Sequence, residues 1–348
     1  MPLASGQCGF VNYAGAVRWR AGAATGLSVL VVTGIGSAAP VIGSWRPVAR
    51  VIGIVDVVGP RADGRLVLAS RGGLFLFRRG SAPVPIARGP QGYTGSAGEP
   101  YIALGTGHAV PGARCSFRRS DIFVLNPGAT PGVLRVDRNG RSRQFASLPA
   151  GAFPSGIAID RVGSFGYRLL VTATASGKTA LHAFDCRGRD RLIAAGAPSV
   201  EGGLAVAPRT FGRFGGSLIA ADEGSGRLYA FGPGGRTRLV VESGVPAGGD
   251  VGVEAVGFVP SSFGHHGTAY LSDLGSPGSP TSGSDSLLSL PAAAEARAHL
   301  HAGELVVATE AGAKTLAVRC RRVCTIRHVA DGPATAHAEG HITFVSKR

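Results

Sequence analysis

The chain has 348 residues and a formal net charge of +15, with 55 Gly, 22 Pro, one Met and two Trp. At 44% hydrophobic it is too apolar for a disordered chain, and its wealth of turn formers speaks against a helical one. The basic residues are nearly all Arg, since only Lys178, Lys314 and Lys347 are Lys, and their scatter argues against a nucleic-acid partner.

Near the N-terminus, Arg18 and Arg20 precede AGAATGLSVLVVTGIGSAAP, the basic, apolar and small-residue order of a secretory signal peptide. This reading assigns residues 1–38 to a signal region with a true start near Val17, and residues 39–348 to one mature, secreted domain. The apolar run is too short and too interrupted to span a bilayer, so no integral membrane segment is expected in the mature protein. Export agrees with the cysteines. Cys8 precedes the signal, and Cys115, Cys186, Cys320 and Cys324 predict two disulfides of open connectivity. Cys320 and Cys324 flank a hairpin turn and could bridge locally.

Short apolar runs follow one another down the chain, joined by Gly- and Pro-rich turns. VIGIVDVV (51–58) reads either as the outer strand of a last repeat or as the inner strand of a first. GRLVLASRGGLFLFRRGSAPVPIA (64–87) supplies later strands, EPYIALG (from 99) a first strand, and 121–146 its successors. The stretches 154–194 and 201–241 each hold four runs, and 253–273 repeats their first half. GSPGSPTSGSD (275–285) reads as a long flexible loop, PAAAEARAHL (291–300) as a linker turn, and 303–330 as later strands again. Spacings of 47 and 54 residues separate Gly156, Gly203 and Gly257, the length of a four-stranded blade with loop insertions. The fold expected is an all-β propeller of six four-stranded blades. EGHITFV (339–345), a first-type strand with no blade after it, would close the ring.

First strands line a propeller's channel, and four of them open on a carboxylate: Glu99, Glu201, Glu254 and Glu339. Four converging carboxylates repel unless a cation or protons neutralise them. Hard oxygen donors favour Ca2+, with Mg2+ or Mn2+ behind it. His337, Glu339 and His341 alternate on one strand and would share a face, making His337 and His341 candidates for a general base or further metal ligands. His108, in the loop after Glu99, is a second catalytic candidate, whereas His265 and His266 read as surface residues. Asp222, Glu223, Asp250, Asp273 and Glu310 end runs or begin loops and would support the ligands from behind.

The Gly-rich entrances, the GLAVAP run and the later GRLYAF run resemble NHL-type propellers. They are also similar to the regucalcin/gluconolactonase family and its paraoxonase relatives. That resemblance implies a divalent metal on the channel axis, held by Glu, Asn and Asp residues. Glu99 would match the family's first-blade Glu, Glu201 and Glu254 its Asn and Asp positions, and Glu339 would be an added acid. No Asn stands at these entrances. Two functions are expected from this: a secreted, metal-dependent hydrolase of lactones or esters, or a non-enzymatic module binding a sugar, a cell-wall polymer or a protein. The partner expected first is a small-molecule or carbohydrate ligand, and the protein is expected to be a monomer.

Overall fold

The computed structural model describes residues 42–96, 98–264, 266–292 and 300–346. The expected signal region, His265 and most of the expected linker turn lie outside the described residues. Four sheets of four strands follow in chain order. Their first strands are Ile54–Val58, Ile102–Leu104, Phe153–Ile159 and Glu201–Val206. Each sheet continues outward by antiparallel hairpins, so 51–58 contributes a first strand.

The remaining strands interleave. Val253–Phe258 pairs with Leu305–Thr309, which continues to Thr315–Cys320 and Cys324–Asp331. The intervening hairpin, Thr268–Asp273 and Ser286–Pro291, pairs instead with the C-terminal strand Ala338–Val345. Arg46–Arg50 adds the outermost strand there, and Gly43–Ser44 edges the neighbouring sheet. The expectation that 253–273 forms the first half of one blade is therefore corrected. Its second run has the right pattern, but the 259–267 connection carries it to the adjacent sheet. The two halves of this nine-stranded sheet meet at a single parallel bridge, Val256 to His341.

Among the described residues, the first strands contact one another in a closed cycle, from Ile54–Val58 through to Ala338–Val345 and back. Apolar side chains from facing sheets fill each gap. Val67 and Val124 share one cluster, Leu170 and Leu218 another, and Leu68 and Leu287 seal the last gap to the first. Strands buried on both faces between neighbours read as near-continuous apolar runs, as LVLAS and LVVAT do here. The sheets are arranged as a β-propeller, closed by the C-terminal strand together with the N-terminal outer one.

Most first strands bulge near their start. The pairing register slips between Ile54 and Asp56, Pro154 and Gly156, Glu201 and Leu204, and Val253 and Ala255. A bulge bends the strand and re-aims its side chains. Gly340, at φ +71°, makes the sharpest such turn, and a Cβ there would lie 2.5 Å from Asp56 Oδ1. Both disulfides form, Cys115–Cys186 between the small Ala109–Val110/Cys115–Ser116 hairpin and the turn after Lys178–Phe184, and Cys320–Cys324 within a hairpin turn.

Candidate functional site

First strands all enter the channel at one mouth, and second strands, running antiparallel, return to it. Two sets of residues therefore meet there: those opening the first strands and those just after the second strands. The first set supplies Glu99, Glu201, Glu254 and Glu339, as expected. The second supplies Arg71 after Leu66–Ser70, Glu223 after Leu218–Asp222 and Glu310 after Leu305–Thr309.

Three overlapping groups place candidate ligand atoms within 4.8 Å of one another: Glu99, Glu254 and Glu339; Glu223, Glu254 and Glu310; and Asp250, Glu310 and His337. Glu254 joins the first two and Glu310 the last two, so the acids form one continuous cluster. Glu201 stands beside it, within electrostatic reach of Glu99 and Glu310, and belongs to none of the three groups. Glu223, Asp250 and Glu310, expected behind the ligands, are thus as well placed as any first-strand acid. Their signal in the sequence is the position just after a second strand or in the loop at the same mouth.

Tyr101, two residues beyond Glu99, was not singled out by the sequence pattern. Its Oη lies 2.9 Å from Glu99 Oε2, 2.8 Å from Glu339 Oε2 and within hydrogen-bond distance of Glu254 Oε1. Burial and the surrounding carboxylates hold its pKa well above the phenol value, so the hydroxyl keeps its proton. A phenol has one proton to donate. The other two contacts therefore need carboxyl groups that carry protons themselves.

The acids respond accordingly. Burial first, and neighbouring carboxylates second, push Glu201 up to about 7 and Glu223 to about 8. Glu254 and Glu339, both almost fully buried, are raised well above the usual carboxylate range for the same reasons. Among the described residues no donor meets Glu310 Oε2 or Glu223 Oε1, both buried, and the two carboxyls lie close enough to share a proton. Buried lone pairs of this kind are expensive to leave unmet.

His337 belongs to this mouth. Its Nε2 lies 2.8 Å from Glu310 Oε1 and 3.5 Å from Glu339 Oε1, and Thr281 Oγ1 approaches Nδ1 at 3.5 Å. Burial disfavours its charge, but Glu310, with Glu254 and Asp250 behind, holds its pKa above the ordinary imidazole value. Thr281 comes from the loop read as flexible. That loop is tied down by bonds from Ser284 to Asp273, from Gly275 N to Asp285 and from Gly283 N to Thr335 O.

His341 is placed apart from the acidic cluster. The turn at Gly340 breaks the alternation that would have set it beside His337 and Glu339. Its Nδ1 faces both oxygens of Asp56, at 3.0 and 2.9 Å, and its Nε2 donates to Ile157 O at 3.0 Å. Facing a carboxylate and a carbonyl, both ring nitrogens need protons, so the ring is an imidazolium. Asp56 also accepts from the backbone of Val57, Ile102 and His341. The pair is a buried strut across the channel, and neither ring nitrogen of His341 is free for proton transfer. His108 is exposed, stacks on Tyr167 at 4.7 Å and is not brought into the acidic cluster.

No family model and no curated protein matches the chain. Among solved structures it is similar to a calcium-binding protein, regucalcin, from Agrobacterium tumefaciens, at 11% identity and TM-score 0.46, covering 86% of this chain and 82% of that one. A virginiamycin B lyase from Staphylococcus aureus, solved as an inactive variant with quinupristin, gives 8% identity and TM-score 0.46, with 82% and 74% covered. A gluconolactonase from Xanthomonas campestris gives 17% and 0.39, with 66% and 69% covered. Likenesses this distant leave the functional reading to the geometry of the acidic mouth.

Proposed function

We propose that the protein is an exported six-bladed propeller that holds a divalent cation at its acidic mouth and hydrolyses a lactone or ester there. The observation that carries this reading is the pair of buried oxygens on Glu310 and Glu223 that no donor among the described residues meets, on two carboxyls facing each other next to Glu254 and His337. The donor set fits: several hard carboxylate oxygens suit Ca2+, with Mn2+ or Mg2+ as the alternatives. Glu223, Glu254 and Glu310 would hold the ion, with Asp250 and His337 at its edge. Glu99, Glu254 and Glu339 all contact Tyr101, and of the three only Glu254 also stands with Glu223 and Glu310, so the ligand set shifts from the first-strand ring toward the second-strand acids. The two disulfides support export. Among the described residues, no helix is long and apolar enough to cross a membrane.

When bound, a divalent cation supplies Lewis-acid polarisation of a substrate carbonyl. The chain's own part is proton handling. His337 Nε2, hydrogen-bonded to Glu310, can give up or take a proton at the mouth. Tyr101 and its carboxyls fix the cluster's shape from the side.

Elemental analysis of protein purified without chelators, followed by a panel of lactones and esters, tests the proposal. About one equivalent of a divalent metal is expected, with turnover that Glu310→Gln and His337→Gln both suppress. Metal without turnover would make the protein a binding module for a sugar, a wall polymer or a protein. Turnover unaffected by chelation and by both substitutions would overturn the reading.

A further inference from the structure

The opposite mouth of the channel is built differently. The last residues of the first strands, Val58, Leu104, Ile159, Val206, Phe258 and Phe344, line a cavity of about 270 Å³. The Asp56–His341 strut separates it from the acidic cluster. Strand backbones close the rest of the axis, since a Cβ on Gly203 would lie 2.1 Å from Gly340 O. Three polar side chains reach the cavity wall: Arg161, His341 and Thr343. Thr343 Oγ1 is spent on Val57 O at 2.7 Å, and both nitrogens of His341 are engaged. Arg161, exposed at the rim, has no ion pair or side-chain hydrogen bond among the described residues. Among the described residues, no carboxylate lines the cavity.

We propose that this cavity binds a small carboxylic acid with an apolar body, a medium-chain fatty acid or an arylalkanoate, with its carboxylate on Arg161. The walls offer dispersion and desolvation to an apolar body and no partner to a polar one. A cavity of about 150 Å³ takes a benzene ring, so this one has room for a ring with a short tail or a chain of about eight carbons. The one uncommitted polar group is a guanidinium, whose fork matches a carboxylate and cannot accept a hydrogen bond. A neutral alcohol of equal length would gain the walls but not the charge. The site is independent of the proposed cation site, because the two occupy opposite mouths.

Calorimetric titration of the whole protein with octanoate and with octanol tests this. One octanoate per chain is expected, with octanol about three- to fivefold weaker, the worth of an ion pair at an exposed rim. Arg161→Gln should bring octanoate down to the level of octanol. Val206→Trp or Val58→Phe should fill the cavity and abolish both, with an unchanged circular-dichroism melt showing the fold intact. Whichever of those two variants folds decides the point. Chelators and added Ca2+ should leave octanoate affinity unchanged. Equal affinity for the two ligands, or octanoate binding that survives both Arg161→Gln and a filled cavity, would overturn the proposal.

Discussion

Tyr101 has one hydroxyl proton to place among two buried carboxyls and a half-buried one, so without a cation Glu254, Glu339 and Glu99 hold their shape by sharing protons with it. Tyr101→Phe removes the shared hydroxyl and leaves the carboxyls facing one another. Urea unfolding should show a loss of about 1–3 kcal/mol, the cost of stranding buried polar groups. The loss should be larger at pH 8 than at pH 5, where the acids can protonate. A second residue-scale test separates strut from catalyst. Removing one partner of a buried, hydrogen-bonded pair is strongly destabilising, so His341→Ala should cost about 3–5 kcal/mol in the same measurement. A stable His341→Ala protein that had lost only activity would contradict the structural role assigned to the Asp56 pair.

At the scale of elements, the repeats were legible because each blade writes the same short apolar runs between Gly- and Pro-rich turns. The first-strand acids were legible for the same reason: aligned repeats put Glu99, Glu201, Glu254 and Glu339 at one position. Glu223 and Glu310 were harder to see. They sit just after second strands, and only the antiparallel return brings that position to the same mouth. His341 was misplaced because strict alternation holds only in an unbulged strand, and Gly340 breaks it. The interleaved hairpin at 268–291 was not legible, since its runs suit either neighbouring sheet and the connections decide. That closure makes the N-terminal segment a structural part of the ring. Trp45, 2% exposed, donates from Nε1 to Thr315 Oγ1 at 2.8 Å. Trp45→Ala should lower unfolding free energy by about 3–5 kcal/mol, the range for emptying an aromatic core site. An unchanged urea midpoint would mean that this segment is not part of the closure.

Across the whole molecule, the raised groups make stability depend on pH in one direction. The folded state holds protons on Glu201 up to about 7 and on Glu223 up to about 8, where the unfolded chain has already released them. Stability then falls as pH rises through that window, because the folded state binds more protons. His337 and His341, raised as well, act with the same sign above the usual imidazole range. Chelated protein should therefore melt highest near pH 5 and lose several degrees by pH 8.5. A bound cation takes over from the protons, so saturating Ca2+ should flatten that slope and raise the melting temperature at pH 8. The same ionic strength of sodium should not. The most direct test is anomalous diffraction from crystals grown with Mn2+, with data recorded at the manganese edge. The account predicts one strong peak at the acidic mouth, bounded by carboxylate oxygens of Glu223, Glu254 and Glu310. Fully ordered acids around Tyr101 with no peak among them, at saturating Mn2+, would contradict it.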